Sequence, residues 1–508
     1  MTPQSGNWYT SRAIRKLPSV LLLAAIVSAC SGYHPAPVAR RGGELVVALG
    51  QDAQSLNPLV AGDVWSVRAL TPLYPQLYEA GADLSVHPSL AAGLPEISKD
   101  GLTWTVTLRS ARWSNGRPIT AEDVVYTIKT EMDPTLDTRA SFDWSPLQSV
   151  EKVDASTVRF HLSRADGAFL GNRLLAPIVP AESLATVSLQ SMSSAIFSTQ
   201  PPVAGGPFVL KQRSPGQSLE LAPNPHYFGG KPNFDQVTML VIGDQNALET
   251  QIAQGNVTWA PDIPAAVAAQ LKGVPNVTVR SFRQLGRFAL VFNARPGRPF
   301  MDSTSRTALA SALNSQKIAT AAGGIPIPSR TGGASSIQSA GELLIPLGDQ
   351  SRAAAAAEVV REAAAVGATL TTKAVAPGEF AARLRSGDFD SALAGLGEGV
   401  DPDPQATAAS WETPAADPHG QNFSGLADRQ LDVLLKQDLA LPPWDRAARQ
   451  PVLDQISARI AADAPYVDLW AVNELDAFSG TLTGVGAVGP QLDQDLQSSF
   501  YARWSLSG

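Results

Sequence analysis

Three carboxylates crowd one loop of this chain, Gly395-Leu396-Gly397-Glu398-Gly399-Val400-Asp401-Pro402-Asp403-Pro404: Glu398, Asp401 and Asp403. In a Gly- and Pro-rich loop such acids can pair with an ammonium or guanidinium group, or they can stay solvated at a turn. Nothing around them completes a catalytic set. No Gly-x-Ser-x-Gly elbow and no phosphate-cradling Gly-Lys-Ser/Thr loop occurs. The Gly-Leu-Gly-Glu-Gly-Val run lacks the glycine spacing of a dinucleotide loop. His34, His87, His161, His226 and His419 are scattered, none forms a His-x-x-x-His pair, and the one cysteine, Cys30, is far away, so no zinc-ligand pattern forms. The expectation is recognition of charge without chemistry: no enzyme, no metal and no cofactor.

The acidic loop needs elements to hold it. From about residue 341 the pattern alternates. Leu343–Leu347 reads as a strand, Ser351–Val366 as an Ala-rich helix, Ala368–Val375 as a strand, Gly378–Ser386 as a helix and Asp388–Ala394 as a strand. Such βαβ alternation predicts a mostly parallel sheet covered by helices, with ligands beyond the carboxyl ends of its strands. Glu398 and Asp401 follow one such end. Trp259, Phe292 and Trp411 could line a cleft or fill a core, and residue type does not separate the two.

Upstream, Gly43–Leu49 and Val237–Ile242 read as buried strands, and Asn246–Gln254 as a helix closed by Gly255. Val277–Phe282, Phe288–Asn293 and Pro465–Val472 read as strands, and Arg306–Ala321 as a helix. Thr103–Arg109 alternates apolar and polar residues, an Asn115-Gly116 turn follows, and Thr120 with Asp123 opens a helix as a capping box. This hairpin-to-helix corner reads as structural.

With 508 residues the chain is long enough for two or three domains. A net charge of −7, with 17% charged residues, argues against a nucleic-acid groove. Arg12, Arg15 and Lys16 precede an apolar run from Leu17 to Ala29, shorter than the ~20 residues of a membrane span. Residues 1–29 therefore read as a signal peptide. Val27-Ser28-Ala29-Cys30 resembles the bacterial lipobox, which makes Cys30 the expected lipidation site and 30–42 a tether.

Over nearly all its length from residue 43 the chain resembles the family 5 extracellular solute-binding proteins of ABC importers. The segments that carry the resemblance are Leu102–Lys129, the Gly-Gly-Pro-Phe corner with Pro223–Val237, Leu290–Asn314, Gly387–Pro404 and Ala464–Trp470. It implies an α/β, two-lobed periplasmic-binding-protein-like fold of class II, cluster C type, with an extra subdomain. Residues 43–62, 203–282 and 473–508 would form lobe I, 63–202 the extra subdomain and 283–472 lobe II. In peptide-binding relatives an Asp three residues before the Asp-Pro pair holds the α-amino group of the ligand, and the matching residue here is Glu398. The resemblance also brings Asp401, Leu396, Trp411, Trp259, Phe292 and Asn293 into the expected ligand-binding set. Leu396 stands where relatives often carry Trp, and Phe228 where Trp is usual. No Arg occurs in Leu343–Leu347, where dipeptide receptors carry one, and Arg352 lies a turn later. The implied partners are a peptide or other small ligand, an ABC permease with its ATPases, and the membrane through the lipid anchor, for a monomer outside the cytoplasm with no nucleic acid. A non-peptide ligand (haem, a glycan fragment or a metal chelate) and a regulatory envelope lipoprotein without transport remain alternatives.

Overall fold

The computed structural model describes residues 39–81, 85–136, 144–328, 338–396, 411, 413, 422–480, 482–483 and 504–507. Among these, one 11-stranded sheet organises the molecule. Glu44–Leu49 lies in its first half, because Leu45, Val47 and Leu49 are sealed in the core. It pairs in parallel with Gln236–Val241 on one side and with Trp259–Ala260 on the other. Two long strands, Val277–Phe292 and Tyr466–Ser479, run antiparallel to each other and carry the sheet into its second half. There Ser391–Leu396 pairs antiparallel to the end of Val277–Phe292, and Ala340–Pro346 and Thr369–Val375 continue in parallel. The fold is α/β and two-lobed, and the two long strands bridge the lobes.

The bridge has a flaw built into it. Register shifts between Arg283 and Arg287, and Gly286 in the gap has φ +133°, which a residue with a Cβ adopts only under strain. Gln284–Gly286 bulge out and the ladder resumes. The sequence read Val277–Phe282 and Phe288–Asn293 as separate strands, because a bulge and a turn look alike locally. Pro465–Val472 likewise extends to Ser479, since its pairing partner continues. The helix expected over Arg306–Ala321 is two, Ser303–Ala312 and Ser315–Ala322. They break at Leu313, and the Asn314 side chain caps the second by accepting from the N–H of Lys317.

Each part has its own apolar cluster. The second half of the sheet is covered on both faces. Ser303–Ala312, Ser315–Ala322 and Gln350–Ala365 pack on one, and Pro377–Ser386, Arg429–Leu439 and Arg446–Asp463 on the other. A separate four-stranded sheet in the order Glu96–Ile97, Thr103–Thr107, Thr157–Leu162, Leu147–Lys152 packs with helix Ala121–Glu131. The capping box of that helix is present: the Asp123 carboxylate accepts from the N–H of Thr120 at 2.9 Å and from that of Ala181 at 3.0 Å. Residues 63–74, grouped by sequence with the extra subdomain, pack differently. Ala69, Leu70, Leu73 and Tyr74 share one core with Leu45, Val47 and Leu49. No helix of the described residues is long and apolar enough to cross a membrane.

Candidate site at the lobe crossing

Strand direction locates the site. Trp259 and Ala260 face Phe478 and Ala477 across the sheet, so this strand and its parallel neighbours run towards the bulge. In the other lobe Ser391 faces Phe292 and Leu396 faces Arg287, so that parallel set also runs towards the bulge. The carboxyl ends of both sets therefore converge on the crossing, where parallel sheets place ligands.

Charged and aromatic groups stand at these ends. In the first lobe, helix Val64–Leu70 begins at Asp63, whose carboxylate accepts from the N–H of Ser66 at 2.8 Å. The half-buried Trp65 packs on Gly50, the residue directly after strand Glu44–Leu49. Arg68 places its guanidinium 5.0 Å from the centre of the Trp65 ring. Its Nη2 donates to Glu474 Oε1 at 2.6 Å, and Gln284 Nε2 donates to Glu474 Oε2 at 2.7 Å.

In the second lobe, Arg352 lies in the first turn of Gln350–Ala365. Its guanidinium sits 5.2 Å from the Phe288 ring centre and 5.5 Å from that of Phe380. Phe288 stacks on Trp470 at 4.7 Å, so rigid rings back the arginine. Arg352 Nε donates to Asp349 Oδ2 at 2.7 Å. Partial burial pushes the Asp349 carboxyl up, but the backbone N–H and guanidinium of Arg352 outweigh it and hold it below its usual range. Beside the bulge, Arg287 Nε donates to Asp468 Oδ1 at 2.7 Å. Leu347, next after strand Ala340–Pro346, is 64% exposed.

The residues singled out from sequence fall elsewhere. Glu398, Asp401 and Cys30 lie outside the described residues. Leu396 is buried in the core that also holds Trp411, whose ring meets Tyr466 at 4.7 Å. Trp259 is a core residue as well: its indole N–H donates to Asp476 Oδ2 at 2.9 Å, and its ring packs on Phe478 and Trp504. Phe292 is sealed against Phe300. The Asn293 side-chain amide donates to the carbonyls of Gly387 and Phe389, so it ties two loops together. All five are buried, and Trp259 and Asn293 also spend their side-chain N–H groups on internal hydrogen bonds. Trp65, Arg68, Glu474, Arg287 and Asp468 were missed. The one local signal was a glycine directly after a buried strand, with an aromatic residue and an arginine one helical turn apart downstream.

The family model for bacterial extracellular solute-binding proteins, family 5 (middle), matches residues 85–344. The chain belongs to that family. Oligopeptide-binding protein AppA of Bacillus subtilis is 29% identical over 316 residues, 60% of this chain and 58% of AppA. Protein XP55 of Streptomyces lividans is 30% identical over 329 residues, 62% of this chain and 58% of XP55. The matches thus span under two-thirds of both relatives. The fold of this family 5 protein extends further. It matches the structure of HbpA2 from Haemophilus parasuis with a TM-score of 0.78, at 20% identity, over 91% of this chain and all of HbpA2. It matches that of AppA, solved with a nonapeptide, with a TM-score of 0.64, at 24% identity, over 93% of this chain and all of AppA.

Proposed function

We propose that this protein is the substrate-binding component of an ABC importer, capturing short peptides between its lobes and passing them to a permease without chemical change. The observation that carries the reading is the convergence of both sets of strand carboxyl ends on one crossing furnished with Arg352 and Trp65. A peptide brings a carboxylate for a ring-backed arginine, an ammonium group for an acid, and backbone amides for the strand ends. Glu398 is the proposed amine anchor, on the spacing described above, with Asp401 in the same proposed ligand-binding set. AppA, an oligopeptide-binding protein solved with a nonapeptide, supports the peptide assignment. Cys30 is the proposed lipid anchor on the outer face of the cell membrane; a Cys30→Ala protein that still partitions with membranes would remove the anchor from the reading.

A thermal-shift panel of free-amine peptides, N-acetylated peptides, haem and oligosaccharides tests the assignment. Free-amine peptides should raise the melting temperature, by mass action on the folded state. Glu398→Gln should weaken their binding by about 2–5 kcal/mol in calorimetry and cost acetylated peptides little. A shift from haem or sugar with none from any peptide sinks the peptide assignment. Leu396 keeps the non-peptide alternative in view: it is buried where relatives often carry a flat Trp, which leaves no aromatic wall at that position.

A further inference from the structure

Trp65 is unlike the fully buried tryptophans. Trp104, Trp259, Trp470 and Trp504 are sealed in cores, whereas Trp65 is only partly buried where it packs at the edge of the first-lobe core. Its neighbour Val64 is also exposed, at 42%. The ring's place is fixed from two sides. A Cβ on Gly50 would stand 2.6 Å from Cζ2 and 2.8 Å from Cη2, so the indole lies against bare backbone at the carboxyl end of Glu44–Leu49. Arg68 covers the ring at 5.0 Å. That guanidinium is held in turn by Glu474 on one crossing strand, and Glu474 is held by Gln284 on the other. A partly buried indole clamped this way, at the end of the middle strand of a parallel set, is a preformed wall that a ligand meets without paying to order it.

We propose that Trp65 is the stacking wall of the site and selects ligands that carry a neutral aromatic side chain. The assignment rests on the peptide-receptor reading and deepens it. An arginine already draws on the indole's π face, so the ring is a poor host for a second cation, while another neutral ring still gains offset or edge-to-face contact. The selected class is therefore peptides with Phe, Tyr or Trp rather than Lys or Arg. Arg68, Glu474 and Gln284 act as positioning residues, since they touch the ring or its clamp and not the ligand.

The test uses calorimetry with the full chain and three pentapeptides: five alanines, and the same peptide with a central Phe or a central Lys. The parent protein should prefer the Phe peptide over the alanine peptide by about tenfold, and should not prefer the Lys peptide. Trp65→Ala should collapse the Phe-to-alanine ratio to roughly one, and Trp65→Phe should keep most of it. Circular dichroism and cooperative unfolding of both variants establish that they fold, and the ratio is read within each variant, so a general loss of affinity does not imitate the effect. A parent that binds these peptides without aromatic preference, or a Trp65→Ala protein that keeps the preference, overturns the wall and leaves the receptor reading standing. A parent that binds none of the three overturns both.

Discussion

Two arginine–carboxylate pairs flank the bulge in the crossing strands, and they differ in little but their access to water. Arg68 and Glu474 meet at 2.6 Å with side chains 1% and 4% exposed. Arg287 and Asp468 meet at 2.7 Å, with the arginine 7% exposed and the carboxylate 40%. Equal distances give very unequal energetics. The sealed pair lost its hydration on both partners and is held by mutual attraction and by Gln284. The open pair keeps water on its acid, so solvent screens the attraction and replaces much of it when the pair breaks. The sealed pair joins helix Val64–Leu70 to both crossing strands through Glu474 and Gln284, whereas the open pair joins the two crossing strands to each other.

The largest expected effect comes from breaking the sealed pair. Glu474→Gln keeps shape and an acceptor oxygen but strands the Arg68 charge in the core. It should cost about 3–5 kcal/mol of unfolding free energy in urea titration. The double variant Arg68→Met with Glu474→Leu should recover most of that, since an apolar pair needs no compensation. A loss below about 1 kcal/mol in Glu474→Gln would show that the pair is not sealed in solution.

Glu131, at the end of helix Ala121–Glu131, sharpens the comparison, because among the described residues no arginine pairs with its carboxylate. Its Oε2 accepts from the Trp144 indole N–H at 2.7 Å, and its Oε1 is buried with no hydrogen-bond partner among the described residues. Burial raises its carboxyl to about 7, with the indole pulling slightly the other way. The sign follows from which state ionises first. Below the unfolded value of 4.5 both states are protonated and the group is neutral towards stability. Between 4.5 and about 7 the unfolded chain ionises while the folded one holds its proton, so stability falls as pH rises; above that the full cost remains. Glu131→Gln should remove this slope and be more stable at pH 8 by up to about 3 kcal/mol, with little change at pH 4. Parallel stability–pH curves for parent and variant would mean that Glu131 is solvated.

What could be read in the sequence was what neighbours in the chain decide. Thr120 and Asp123 form their capping box from an offset of three residues, and Thr103–Thr107 declares its buried face by alternation. The site was not local. Arg68 and Glu474 are 406 residues apart, and Trp259 and Asp476 are 217 apart, so no window along the chain shows that the first pair seals a clamp or that the second buries an indole. Whether Trp259, Phe292 and Trp411 line a cleft or fill a core was not legible, because aromatic type says nothing about which side of a sheet it lands on. The bulge at Gly286 was hidden for a related reason. A glycine between two β-prone runs signals a turn, and only the uninterrupted partner Tyr466–Ser479 shows that the chain goes straight on.

The smallest effect belongs to the open pair and tests the contrast from its other end. Asp468→Asn keeps an acceptor for Arg287 Nε and removes the charge. With 40% of the carboxylate side chain in solvent, water already screens the charge that the substitution removes. The loss should be about 0.2–1 kcal/mol, within the range of exposed pairs. Salt separates this from a packing defect. Raising ionic strength to about 1 M shortens the screening length to roughly 3 Å, so the difference between parent and Asp468→Asn should shrink towards zero. The Glu474→Gln deficit should persist under the same salt, because ions do not enter a sealed core. If Asp468→Asn loses as much as Glu474→Gln, or if both deficits respond to salt alike, the two sides of the crossing are equivalent.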